Sequence, residues 1–227
     1  MSGWPDDAQA LAAEQQRVAA LEDPVWAPPP DAAVGGCWVC FPRGTSGPGE
    51  AGDPAWAAAV VLRGGRVVAR ESRTGSAGAP YRAGLMALRV GRLLEATVRA
   101  MPRAPDVLLL DATGRDHPRR AGLARHLGVV LGLPTVGVTH RPLEASGEWP
   151  DDRRGATAPL VLGGEVVGCW VRTRAGTRPL AVHPGWRCDV DTAVEVVLRT
   201  TGRQRTPEPL RRARQLARRA RARQPSR

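Results

Sequence analysis

A chain of 227 residues is long enough for one well-packed α/β domain with extensions and too short for two independent cores. No apolar run approaches the roughly 20 residues needed to cross a bilayer, and acids stand near the N-terminus where a secretory signal would carry cations, so a cytoplasmic protein without membrane contact is expected. All 33 basic residues are arginine, and the net charge of +11 is concentrated in residues 203–227, where ten arginines face the single acid Glu208 for a net of +9. Such a segment suits sequence-blind attraction to phosphate backbones; a solvated tail without a specific partner fits it equally.

In chain order, residues 9–21 have the apolar spacing of a helix, and a Pro-rich connector follows over 24–30. Residues 33–41 read as a first strand, 44–54 as a loop, and 56–62 with 66–71 as a hairpin around Gly64-Gly65, which together make an antiparallel meander. An amphipathic helix is expected over 84–101 and a buried central strand over 106–111. A short helix over 117–127 precedes a strand over 135–139 and a second hairpin, 160–162 with 166–171, around Gly163-Gly164. Asp189 is placed as the N-cap of a helix running to residue 201. Meander, then helix, strand, helix, strand predicts a mixed central α/β sheet with helices on both faces, the ribonuclease H-like arrangement. The expected division is an N-terminal helix and connector over 1–30, the domain over 31–202 and an Arg-rich tail over 203–227.

Cys37 and Cys40 have the spacing of a redox or zinc pair. They fall within a strand, where positions i and i+3 point to opposite faces, so buried free thiols are expected instead.

The run Asp111-Ala112-Thr113-Gly114-Arg115-Asp116-His117-Pro118-Arg119-Arg120, with Leu110 before it and Ala121 to Ala124 after it, resembles the endonuclease V segment in which a metal-binding Asp ends a strand and a His-Pro-Arg-Arg turn follows. Val34-Gly35-Gly36, Pro80-Tyr81-Arg82-Ala83-Gly84, Pro134-Thr135-Val136-Gly137-Val138 and Gly185 ahead of Arg187 and Asp191 stand in the family's order, so the likeness spans 33–198. It implies a protein acting on nucleic acid near deaminated adenine (hypoxanthine) with bound magnesium.

Carried over residue by residue, Asp111 takes the strand-end metal ligand. The family's first-strand Asp falls at Trp38, its long-helix Glu at Val90, its Lys at His140 and its late His at Trp186. No acid lies between Asp31 and Glu50 or between Glu71 and Glu95, so neighbours cannot replace the two missing carboxylates. Glu95 lies five positions past Val90 and points away from that helix face. Asp116, Asp189 and Asp191 remain, with Asp189 weighed as a second metal ligand against its use as a cap. A lone Asp111 holds hydrated magnesium weakly, because that ion tolerates few protein ligands. Trp38 and Trp186 are expected to crowd the cleft, with base stacking as the alternative.

On the recognition side, Pro80, Tyr81 and Gly84 match the family's strand-separating wedge, while Arg82, Ala83, Ala112 and Thr113 depart from its pattern. His117, Arg119 and Arg120 are expected to bind phosphate, or else to form an ordinary surface turn. The resulting expectation is a monomeric protein that binds single-stranded or damaged DNA, with RNA as an alternative, and whose nuclease activity is weak or lost. An active magnesium-dependent endonuclease using Asp111 and a pseudoenzyme scaffold that binds another protein are the other two readings.

Overall fold

The apolar runs assemble into one eight-stranded mixed sheet in the order β3-β2-β1-β4-β5-β8-β7-β6. The computed structural model describes residues 4–22, 24–44 and 46–223; the ends of the two terminal segments, 1–3 and 224–227, lie outside the described residues. β1 (Val34–Cys40), β2 (Pro54–Arg63) and β3 (Arg66–Ser76) form the expected meander. Gly64 and Gly65 both take positive φ in its tight turn, a conformation that glycine adopts without strain. β4 (Val107–Leu110) runs parallel to β1, and β5 (Thr135–Thr139) parallel to β4. Beyond β5 the strands alternate in direction through β8 (Leu180–Pro184), β7 (Glu165–Val171) and β6 (Thr157–Leu162).

Side-chain alternation along the central strands divides the core between two faces. Leu108, Leu110, Cys37, Ala57 and Ala59 meet α1 (Ala8–Ala20), α2 (Met86–Arg99) and α3 (Leu123–Leu131) on one side. Leu109, Val34, Val136 and Val182 meet α4 (Val190–Thr200) on the other. This is the ribonuclease H-like α/β arrangement anticipated from the element order. Cys37 enters the α2-side core, where burial pushes its thiol up to about 12, while burial also raises the Cys40 thiol against the opposing Arg221 and Arg218 charges; all four cysteines are free.

Four elements differ from expectation. The basic segment after residue 202 is no loose tail, because Glu208–Ala222 forms α5, packed on β1 and β2. Leu210, Ala213 and Ala217 make its buried stripe, and Trp38 and Leu216 pack beside Val60 and Leu62 in the same cluster. Gly36 permits this approach, since a Cβ there would lie 2.4 Å from the Pro209 carbonyl carbon. The expected helix at 117 begins instead at Leu123, because Arg120 takes a left-handed φ of 56° and a turn occupies the preceding residues. β8 had no counterpart in the sequence reading; its run of Leu180, Ala181 and Val182 ends at His183 and Pro184. Finally, α1 is integral to the fold. Leu11, Gln15 and Val18 are buried, and the Arg125 guanidinium binds the Val18 and Leu21 carbonyls at its end. No helix among the described residues is long and apolar enough to cross a membrane.

Candidate functional site

Ligands of α/β sheets bind beyond the carboxyl ends of the parallel strands. Here those ends are Cys40, Leu110 and Thr139. Cys37 pairs with Leu110, so Trp38 and Asp111 come next in register on adjacent strands. A cavity of about 110 Å³ lies between Trp38, Val90, Leu94, Leu110 and Asp111. The three positions singled out from sequence therefore do meet. They bring one carboxylate, an indole and an isopropyl group.

A larger cleft of about 310 Å³ shares Asp111 and is walled by Tyr81, Gly84, Thr113, Thr139 and Arg141. Among the described residues Asp111 is the sole acid lining either space. Its side chain reaches solvent, yet the protein around it removes enough water to push its pKa up to about 6, against the opposing pull of the Arg214 guanidinium. Arg214 projects from α5, its guanidinium carbon 5.7 Å from the centroid of the Trp38 ring. These residues do not fit a resident magnesium ion. A resident divalent cation is held by several converging oxygen donors, and here a single carboxylate stands with the Arg214 cation as a neighbour. Among the described residues no group of three or more His, Cys, Asp or Glu side chains could hold a metal.

The remaining acids serve the fold. Asp189 accepts a hydrogen bond from the Thr192 amide at 2.8 Å and caps α4, as expected, and it lines a different groove with Arg125 and Trp186. Asp191 is exposed in the first turn of the same helix. Asp116 is fully buried and accepts hydrogen bonds from the amides of Leu143, Glu144 and Ala145 at 2.7–2.8 Å. That anchors the loop forming one wall of the cleft. Buried His183 has Nδ1 3.8 Å from the Asp116 carboxylate and Nε2 3.0 Å from the Thr139 hydroxyl; burial lowers its pKa and holds it neutral.

Trp186 corrects an expectation. Its carbonyl accepts from the Thr135 amide at the start of β5, whereas Asp111 follows the carboxyl end of the parallel strand β4. The two tryptophans thus lie toward opposite ends of the sheet, and Trp186, 5.4 Å from the Arg125 guanidinium, does not crowd the cleft. His140 is exposed just beyond β5; desolvation, then the Arg205 and Arg214 charges, hold its pKa below the usual histidine range.

Most donors of the His-Pro-Arg-Arg turn are engaged within the protein, while Arg120 Nη1 makes no hydrogen bond and lies 3.6 Å from the Glu165 carboxylate. His117 Nδ1 accepts from the Arg119 amide at 3.1 Å, which leaves Nε2–H to donate to the Gly84 carbonyl at 3.0 Å. Arg119 donates to Gln15 and to the same Gly84 carbonyl, and Arg120 to the Leu162 carbonyl. Burial pushes the His117 pKa down to about 4. His117 and Arg119 tie the loop carrying Pro80, Tyr81 and Gly84 to α1, so they position the wedge, and Arg120 ties the turn itself to β6. Tyr81 projects from that loop with 48% of its surface exposed. Arg82 and Arg141, both exposed, are the cations at the cleft itself. Sequence reasoning passed over Arg141, Thr139 and Arg214. For Arg214 the available signal was the apolar stripe of α5, hidden among arginines.

The endonuclease V family model matches residues 28–215. Endonuclease V of Streptomyces avermitilis is 39% identical over 225 residues, covering 96% of this chain and 94% of that protein. The crystal structure of endonuclease V from Streptomyces avermitilis superposes with a TM-score of 0.86 at 38% identity, covering 98% of this chain and 96% of that one. Ciona intestinalis endonuclease V, crystallised with a 24mer DNA containing an inosine followed by a ribo-adenosine, shares the fold at a TM-score of 0.75 and 22% identity over 95% of this chain and 98% of that one.

Proposed function

Because the chain belongs to the endonuclease V family, we propose that it binds nucleic acid bearing deaminated bases while cleaving it weakly or not at all. The observation that carries this reading is the pairing of Asp111, the cleft's sole carboxylate, with the neighbouring Trp38, Val90 and Arg214. Hydrolysis of a phosphodiester needs a water activated and a developing charge stabilised, work that a multi-carboxylate metal centre performs in two-metal and one-metal nucleases. This cleft lacks the donors for it.

Binding is better supported. Exposed Tyr81 offers a ring to an unstacked base, a contact worth about 1–3 kcal/mol, and Arg82 and Arg141 offer charge to the flanking backbone. The proposed ligand is a single-stranded or damaged DNA strand, with RNA as the alternative, taken up by a cytoplasmic monomer. The active-endonuclease reading keeps one specific support, the retention of Asp111 within a chain 39% identical to a full-length relative.

The test is to incubate the protein with labelled inosine-containing and unmodified oligonucleotides, with magnesium and with chelator, scoring retention and cleavage together. Salt-sensitive retention without product is expected. Magnesium-dependent product that disappears with Asp111→Ala would establish the active reading, and neither retention nor product would leave only a protein-binding scaffold.

A further inference from the structure

Arg214 is the arginine of α5 that lies over the Trp38 ring. Arg211 and Arg212 pair with Glu208, and Arg221 donates to the Phe41 carbonyl at 2.8 Å. Among the described residues Arg214 has no hydrogen bond or close ion pair; it lies against the Trp38 ring, and its charge is felt by Asp111 and His140. The helix beneath it is fixed, since Ala213 and Ala217 are fully buried on either side and the backbone at Pro209 and Leu210 presses on Gly36. Stacking occupies one face of a guanidinium and leaves its N–H edge free, and that edge matches the paired oxygens of a phosphate. The result is a half-buried cation with no hydrogen-bonded partner, held on an indole platform within electrostatic reach of Asp111.

We propose that Arg214 is the cleft's built-in cation: it grips a nucleic-acid phosphate seated between Trp38 and Asp111, so that binding requires no divalent metal. Trp38 then has a use beyond filling space, because its flat face holds the guanidinium in place. Val90 fits the same scheme, since a carboxylate at that position would compete with phosphate for the cation. This rests on the nucleic-acid-binding reading above and adds to it the group that replaces the metal.

The experiment is fluorescence anisotropy of a labelled single strand containing inosine, in EDTA and in magnesium, over a range of salt concentrations. It compares the unsubstituted protein with Arg214→Ala and with Arg214→Gln, which retains much of the side-chain length over Trp38 without the charge; urea melts confirm that each variant folds. The unsubstituted protein is expected to bind equally in EDTA and magnesium. Both variants should bind on the order of tenfold to a hundredfold more weakly, the range of one lost charge-assisted contact, with a salt slope shallower by about one. Binding that needs magnesium, or folded variants that match the unsubstituted protein, would overturn this proposal while leaving nucleic-acid binding intact. Absence of binding by the unsubstituted protein under every condition would remove both.

Discussion

Trp38, inside β1, and Asp111, just past the end of β4, stand side by side, each one residue past the Cys37–Leu110 pair. An acid at position 38 would therefore share its cavity with Asp111, and one at position 90 would enter the same space from α2. The double variant Trp38→Asp, Val90→Glu should gain manganese binding, measurable by titration calorimetry, that the unsubstituted protein lacks. Its fold should be less stable by about 1–3 kcal/mol, because packing is lost and a buried position acquires charge. Equal heats from both proteins would count against the geometry described here.

Asp111 should also leave a mark on stability. Its folded-state pKa of about 6 lies above the ordinary value of 3.8, so the folded chain binds the proton more tightly than the unfolded chain does. The stability it contributes is complete at about pH 4 and is lost as pH rises through about 6. Asp111→Asn should accordingly melt at a higher temperature than the unsubstituted protein near pH 7, and the gap should close near pH 4. A gap of constant size across that window would contradict the assignment.

The wall of the cleft depends on a different carboxylate. Asp116→Ala would leave three amides of residues 143–145, that of Ala145 buried, without their acceptor. At about 1–3 kcal/mol for each unsatisfied group, eased by entering water, a loss of roughly 3–5 kcal/mol is expected in urea denaturation. Asp116→Asn keeps one acceptor oxygen and should lose clearly less. Equal losses from the two variants would show that the three amides are not what Asp116 holds.

Gly36 reports on α5. A methyl group there would meet the Pro209 and Leu210 backbone at 2.4–2.6 Å, which no side-chain rotation relieves. Gly36→Ala should cost about 1–3 kcal/mol or more by overpacking. Truncation after residue 202 should give an unstable chain, since it uncovers Val60 and Leu62 along with Gly36. A truncated chain that keeps its full stability would restore the picture of a dispensable basic tail.

Much of the fold could be read before the structure was seen, because strand alternation, the Gly-Gly turns and the Asp189 cap are local signals that tertiary packing reinforced. The errors share a physical origin in non-local placement. Arginine density concealed the small stripe of Leu210, Ala213 and Ala217, whose partner is a glycine more than 170 residues away in sequence. His117, Arg119 and Arg120 looked available for phosphate because nothing local reveals that Gln15 and the Gly84 carbonyl engage the first two and the Leu162 carbonyl the third. Trp186 was misplaced because a family position in a linear string does not say at which end of β5 it will sit. The convergence of positions 38, 90 and 111 was legible through the resemblance. Arg214, the cation facing Asp111, was not, because it lies on the helix that had been read as a tail.

The central claim is that an endonuclease V cleft survives here without the donors for metal-assisted hydrolysis. Its most direct test is single-turnover incubation of excess protein with an end-labelled inosine strand in manganese, the unsubstituted protein beside Asp111→Ala. An intact, bound strand is expected with both proteins. Cleaved strand from the unsubstituted protein, absent from Asp111→Ala, would contradict it.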